Sequence, residues 1–279
     1  MFILKPNVLA RFAAVTLVLY FTAAIYALRF QIDRMLFPYV AETNVSGAEN
    51  TIRVVGPSGN GMLIRRYGNP RLGCVLFFPG QHGGLKSYEE NLFPSYVANG
   101  IAVYAVSYPG QDGAPGRSNV AEIQSLTLKA IDAVRDTCPL SKTVFVGRSL
   151  GSMLASYAAG ASRPAGPVLE GAAPSLSSGV AAYMRRRWYL LPLTLLPLRT
   201  ALAHDYSLSE ALPTSPAFPT VVFQGANDDQ TPVDALQISN TLPHNSQLVV
   251  VPNGTHANTY QLILPQFVHS AVMMLQART

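Results

Sequence analysis

Short, unbroken apolar runs alternating with stretches of helical period put the tightest limit on how this chain can fold. Residues 74–78 (CVLFF), 101–108 (IAVYAVSY), 143–146 (TVFV), 220–224 (TVVFQ) and 247–251 (QLVVV) are apolar almost throughout. Such runs mark strands buried on both faces. Residues 87–99 read as a helix. So do residues 120–135, where Ile123, Leu126, Leu128, Ile131 and Val134 recur at helical spacing. Another helix follows the run at 143–146 and passes through Leu154 and Tyr157, and residues 167–169 form a further short strand. Strand and helix in alternation imply an α/β fold, with a mostly parallel central sheet and helices on both faces. Two more β-like runs, 51–55 and 62–67, flank the turn-rich residues 56–61 and are expected to form an antiparallel edge. A chain of 279 residues is long enough to bury one large core of this kind.

Two segments stand outside the alternation. Residues 12–28 carry no charge, and the apolar stretch extends to Val8 and Phe30 with Arg11 near one end and Arg29 at the other as its charges. A membrane-spanning helix needs roughly 20 mostly apolar residues, and an arginine near its end can reach the headgroups. A cleaved signal peptide would have a shorter apolar core and a small-x-small cleavage site, which the sequence around Ala24 and Ala27 does not offer in the right place. Residues 1–34 are therefore expected to anchor the chain in a membrane, ahead of a catalytic domain at 35–279. Lys5 and Arg11 balance Arg29 and Arg34, so flanking charge leaves the orientation open. The second segment, residues 175–219, is rich in Leu, Pro and Arg. Pro192, Pro197, Pro213, Pro216 and Pro219 forbid one long helix there. A cap or lid of short helices is expected, and an insertion of this length is usually functional.

Chemistry enters at Gly147-Arg148-Ser149-Leu150-Gly151, a G-x-S-x-G pattern between the strand at 143–146 and a helix. That setting is the nucleophile elbow, a tight turn that pushes the serine hydroxyl out at the carboxyl end of the sheet. A serine hydroxyl needs a base to attack at neutral pH. Of the five histidines, His256 follows the strand at 247–251 directly, and Asp228 follows the strand at 220–224. The order Ser149, Asp228, His256 is that of the α/β-hydrolase triad. In it the imidazole takes the serine proton and the carboxylate holds the imidazole tautomer. Asp229 is the adjacent rival for the acid. His204, His244 and His269 read as structural or surface residues, and His82 falls in the next motif. Acyl transfer also needs donors aimed at an oxyanion. The Leu150 backbone N–H is one candidate. Gln81 is the other, in the glycine-rich loop Pro79-Gly80-Gln81-His82-Gly83-Gly84.

With these elements the chain resembles the α/β-hydrolase superfamily. More narrowly, it is similar to membrane-anchored Bem46/ABHD13-like hydrolases with a serine aminopeptidase S33-type domain. The carrying residues are 147–151 (GRSLG), 225–232 (GANDDQTP) and 253–258 (NGTHAN). Two departures stand out. Pro79-Gly80 replaces the family's His-Gly opening of the oxyanion loop, and Ser152 follows the elbow where a second glycine is common. The resemblance implies that the strands at 74–78 and 143–146 are neighbours. Cys74 and Cys138 would then lie at the same, non-catalytic end, close enough for a disulfide. Whether they bridge stays open, and a bridge would argue for an extracytoplasmic domain.

Hydrophobic residues make up 49% of the chain and charged residues 13%, against roughly 25% charged in soluble domains. The net charge of +5 comes without a basic, aromatic-interleaved stripe, which argues against nucleic acid as a partner. No His/Cys/Asp cluster has metal-ligand spacing, and no metal or organic cofactor is expected. The expected activity is serine hydrolysis of a carboxylic ester or thioester, with a small-molecule or lipid acyl substrate suggested by the apolar cap. The alternatives are an amidase or peptidase with the same triad, or a catalytically silent binding protein of the same fold.

Overall fold

A computed structural model describes residues 6–40, 48–81, 84–212, 218–239 and 241–277. Its eight strands are β1 (Asn50–Val55), β2 (Gly61–Tyr67), β3 (Gly73–Phe78), β4 (Ile101–Ser107), β5 (Thr143–Arg148), β6 (Gly166–Glu170), β7 (Thr220–Gly225) and β8 (Ser246–Val251). They form one sheet in the order β1-β2-β4-β3-β5-β6-β7-β8. The hairpin β1–β2 is antiparallel and pairs antiparallel to β4, and every pairing from β4 through β8 is parallel. This is the α/β-hydrolase fold.

Ahead of the sheet come helices α1 (Pro6–Phe30) and α2 (Ile32–Leu36). Within it follow α3 (Lys86–Glu89), α4 (Leu92–Ala98), α5 (Val120–Val134) and α6 (Leu150–Ser162). Next are α7 (Leu176–Arg185), α8 (Leu198–Ala201) and α9 (Leu208–Ala211), then α10 (Val233–Ser239), α11 (Thr259–Leu262) and α12 (Leu264–Gln276). The stretch at 87–99 is two helices rather than one. Asn91 leaves helical geometry at φ −144°. Pro94 then falls in the first turn of α4, where a missing N–H costs nothing.

The two-sided core follows from the pleat, since successive side chains on a strand face opposite ways. On β3, Cys74, Leu76 and Phe78 join a cluster with Leu126, Phe145 and Leu154, under α5 and α6. Val75 and Phe77 join the opposite cluster with Tyr88, Phe93 and Phe267, under α3, α4 and α12. The first cluster also takes in Leu28, Ile32 and Phe37, so α1 and α2 close the same face as α5 and α6. The chain between the apolar helix and the sheet is thus partly helical and packed. Phe37 meets the ring of Tyr108 edge-on, with centroids 5.8 Å apart.

The stretch Val8–Phe30 of α1, 23 residues with a mean hydropathy of 2.0, is long and apolar enough to cross a membrane. In the described part of 175–219, α7, a 3₁₀ turn at Leu191–Leu195, α8 and α9 follow one another as short helices. At the amino-terminal end of the parallel strands, Cys74 and Cys138 form a disulfide with Cα atoms 5.9 Å apart.

Candidate active site

The carboxyl ends of β5 to β8 gather the residues singled out in the sequence. Ser149 sits between β5 and α6 with φ +52° and ψ −120°. That conformation costs a non-glycine residue about 1–3 kcal/mol and persists only where the surroundings enforce it. Its backbone N–H donates to the Glu170 carbonyl at 2.7 Å, and its own carbonyl accepts from the Ser152 N–H and hydroxyl at 2.9 and 2.6 Å. Gly151 lets the turn close, because a Cβ there would overlap the carbonyl oxygens of Phe78 and Pro79. The loop after β3 is thereby pressed onto the elbow. A Cβ on Gly80 would lie 3.3 Å from the Ser149 Cβ.

His256, in the loop after β8, lies between the other two residues. Its Nε2 is 2.7 Å from the Ser149 Oγ and its Nδ1 is 2.8 Å from the Asp228 Oδ2. With the Nδ1 proton donated to the carboxylate, Nε2 is the acceptor for the serine hydroxyl. Asp228 is buried in the turn after β7 and accepts several bonds. Its Oδ1 takes the N–H groups of Gln230 and Thr231, both at 2.9 Å, and its Oδ2 also takes the Thr231 hydroxyl at 2.8 Å. Burial pushes the Asp228 carboxyl up. The bonds from His256 and Thr231 outweigh it, leaving the group below the ordinary carboxylate value. Asp229 points outward instead and pairs at 3.3 Å with Arg186, the residue that follows α7. His204, His244 and His269 are exposed. His82 and Gly83 lie outside the described residues.

The loop after β3 is held from several sides. The Tyr108 hydroxyl donates to the Pro79 carbonyl at 2.9 Å, and the Gln111 amide donates to the Gln81 carbonyl at 3.2 Å. The Gln81 side chain donates to the Met35 carbonyl, so α2 forms part of the wall beside this loop. Leu150 opens α6, and its N–H is among the first-turn donors that a helix leaves without an internal acceptor.

One residue the sequence reading passed over ties these loops together. Arg148 is the last residue of β5 and lies opposite Glu170, the last of β6, in the strand register. Its Nε donates to Glu170 Oε2 at 2.6 Å and its Nη1 to the Tyr88 hydroxyl at 3.1 Å. Its Nη2 donates to the carbonyls of His256 and Ala257 at 2.6 and 3.1 Å. The guanidinium also stacks over Tyr260, 5.2 Å from the ring centroid. Glu170 is 1% exposed, and burial raises its carboxyl against the attraction of Arg148. The pair fixes the backbone that carries His256. The signal for it was a charged residue closing each of two adjacent buried strands.

The strand order and the helices flanking the sheet are those of the α/β-hydrolase fold. Residues 75–202 match the Alpha/beta hydrolase family. An esterase of Pyrococcus furiosus superposes with a TM-score of 0.64 at 16% identity, over 86% of this chain and 98% of its own. An esterase of Exiguobacterium antarcticum gives 0.59 at 14% identity, over 81% and 100%. A meta-cleavage product hydrolase of Pseudomonas fluorescens gives 0.58 at 16%, over 84% and 99%. At such identities the likeness concerns the fold. No protein of curated function matches the sequence.

Proposed function

We propose that this chain is a serine hydrolase that cleaves a carboxylic ester or thioester through Ser149, His256 and Asp228. The observation that carries the reading is the continuous chain of contacts from the Ser149 Oγ through both ring nitrogens of His256 to Asp228, at 2.7 and 2.8 Å. In this mechanism His256 removes the hydroxyl proton as Ser149 attacks the acyl carbon. It then returns the proton to the leaving group, and an acyl-enzyme remains. Water, deprotonated by the same imidazole, releases the acid. Asp228 keeps Nδ1 protonated and stabilises the imidazolium. The N–H groups of Leu150 and Gln81 are the proposed donors to the oxyanion. The esterases among the structural neighbours support an ester as the bond cleaved.

The apolar length of α1 supports a single-pass anchor, in keeping with the membrane-anchored subtype the motifs resemble, with residues 175–219 as a cap over the site. The Cys74–Cys138 disulfide supports an extracytoplasmic catalytic domain, because such bonds persist in oxidising compartments. A fluorophosphonate probe tests the chemistry. Wild type is expected to label covalently and to hydrolyse p-nitrophenyl esters, while Ser149→Ala loses both with its melting temperature kept. Labelling that survives Ser149→Ala would refute the assignment.

A further inference from the structure

The cap and α1 are not independent of one another. From Val8 to Leu19 every residue of α1 is exposed, whereas Tyr20, Phe21, Ala24, Ala27 and Leu28 form a covered stripe. That spacing is one face of a helix, and it meets the cap. The Tyr20 hydroxyl donates to the Tyr189 carbonyl, and Arg29 Nη1 donates to the Leu202 carbonyl at 3.0 Å. Trp188 packs edge-on against Tyr189, with centroids 5.9 Å apart. Around this contact the cap turns large apolar side chains outward: Trp188 is 85% exposed and Leu195 84%, with Leu191 half exposed. A soluble cap has no use for such a cluster.

The position of this contact along α1 argues for a bilayer as what covers it. A helix rises about 1.5 Å per residue, so Tyr20, ten residues before Phe30, lies about 15 Å along the axis from the end of α1. If Val8–Phe30 spans the roughly 30 Å hydrocarbon layer, the Tyr20–Tyr189 contact cannot stay in water. If only residues 8–19 are immersed, Tyr189 still sits at the boundary. Either way the exposed side chains of Trp188, Leu191 and Leu195 would lie at or below the bilayer surface. Arg185 and Arg187 beside them suit the headgroups, and Trp and Tyr are the residues enriched at that depth.

We propose that the cap edge formed by Trp188, Leu191 and Leu195, continuous with the exposed face of α1, is a bilayer-docking surface that seats the catalytic domain in the near leaflet. The substrate class that follows is a membrane-resident acyl ester, taken from the leaflet rather than from solution. This rests on α1 being an anchor and on the hydrolase reading above.

Trp188 is the only tryptophan in the chain, so its emission reports on this edge alone. The full-length protein is reconstituted in vesicles of phosphatidylcholine and phosphatidylglycerol, and its retention on the vesicles at alkaline pH is scored first. Phosphatidylcholine brominated on its acyl chains is expected to quench Trp188, and acrylamide is expected to reach it poorly. Retained protein whose Trp188 is open to acrylamide and untouched by bromolipid would overturn the docking surface while leaving the anchor standing. Loss of retention would remove the anchor and the proposal with it. A second measurement uses Leu191→Glu with Leu195→Glu, two exposed positions. Charges at bilayer depth are costly, so turnover of a long-chain ester carried in the vesicles should fall about tenfold or more, with hydrolysis of soluble p-nitrophenyl acetate within about twofold of wild type. Equal effects on both substrates would overturn the proposal. Failure of wild type to turn over either ester would refute the hydrolase reading, and the Trp188 depth would still be read.

Discussion

At Gly151 the elbow has no room for a methyl group, because the carbonyls of Phe78 and Pro79 occupy the space a Cβ would take. Both are backbone atoms of a strand end and cannot step aside. Gly151→Ala is expected to destabilise the protein by about 2–3 kcal/mol, read from denaturant unfolding. An unchanged midpoint would mean that the β3 loop is less tightly pressed on the elbow. Asp228 works differently, through the ring it orients. Asp228→Asn should keep the fold near neutral pH but lower kcat on the order of 10⁴-fold with little change in KM, because the amide favours the wrong imidazole tautomer. The same carboxylate also affects stability. Held below its ordinary value, it takes up a proton less readily folded than unfolded. Its contribution is fully present above the unfolded carboxylate value of about 4 and is lost as pH falls through the depressed native value. The melting temperature of wild type should therefore drop more steeply on acidification than that of Asp228→Asn. Parallel curves would show that the shift carries no stability.

The strands were the legible elements. Residues 74–78, 101–108 and 143–146 are apolar because both faces of β3, β4 and β5 are covered, and that leaves a plain trace in sequence. The break between α3 and α4 was also written there, in Pro94, but helical spacing across residues 87–99 masked it. Ser149, Asp228 and His256 could each be read from their places just after a strand, since such ends are where an α/β sheet exposes side chains. Arg148 could not be read this way. Its partners are a glutamate 22 residues on and two carbonyls more than 100 residues on, and only the β5–β6 register brings them together. Breaking one half of this buried pair leaves the other uncompensated. Arg148→Met should thus lower both stability and kcat. Adding Glu170→Gln should restore much of the stability and little of the kcat, because the carbonyls of His256 and Ala257 remain unheld. A double variant as unstable as the single one would count against the pairing as described.

At the scale of the whole molecule, the sheet separates two ends with different tasks. The disulfide ties the amino-terminal ends of the parallel strands, and the candidate site occupies the carboxyl ends. Linking residues 64 apart in sequence restricts the unfolded chain enough to be worth about 4 kcal/mol in the loop-entropy account. Replacing Cys74 and Cys138 by alanine should lower the melting temperature clearly, while the esterase rate per folded molecule stays near wild type. A fall in that rate would mean that the two ends communicate. The opposite design governs α1, whose Leu28 is built into the same core as Ile32 and Phe37 of the chain that follows it. Many tethered enzymes can be shed by one cut in a slack stalk and go on working in the surrounding fluid. On the anchor reading proposed above, the tether is also masonry: a protease severing it would pull Leu28 out of the core it shares with Ile32 and Phe37, so release from a membrane should cost stability.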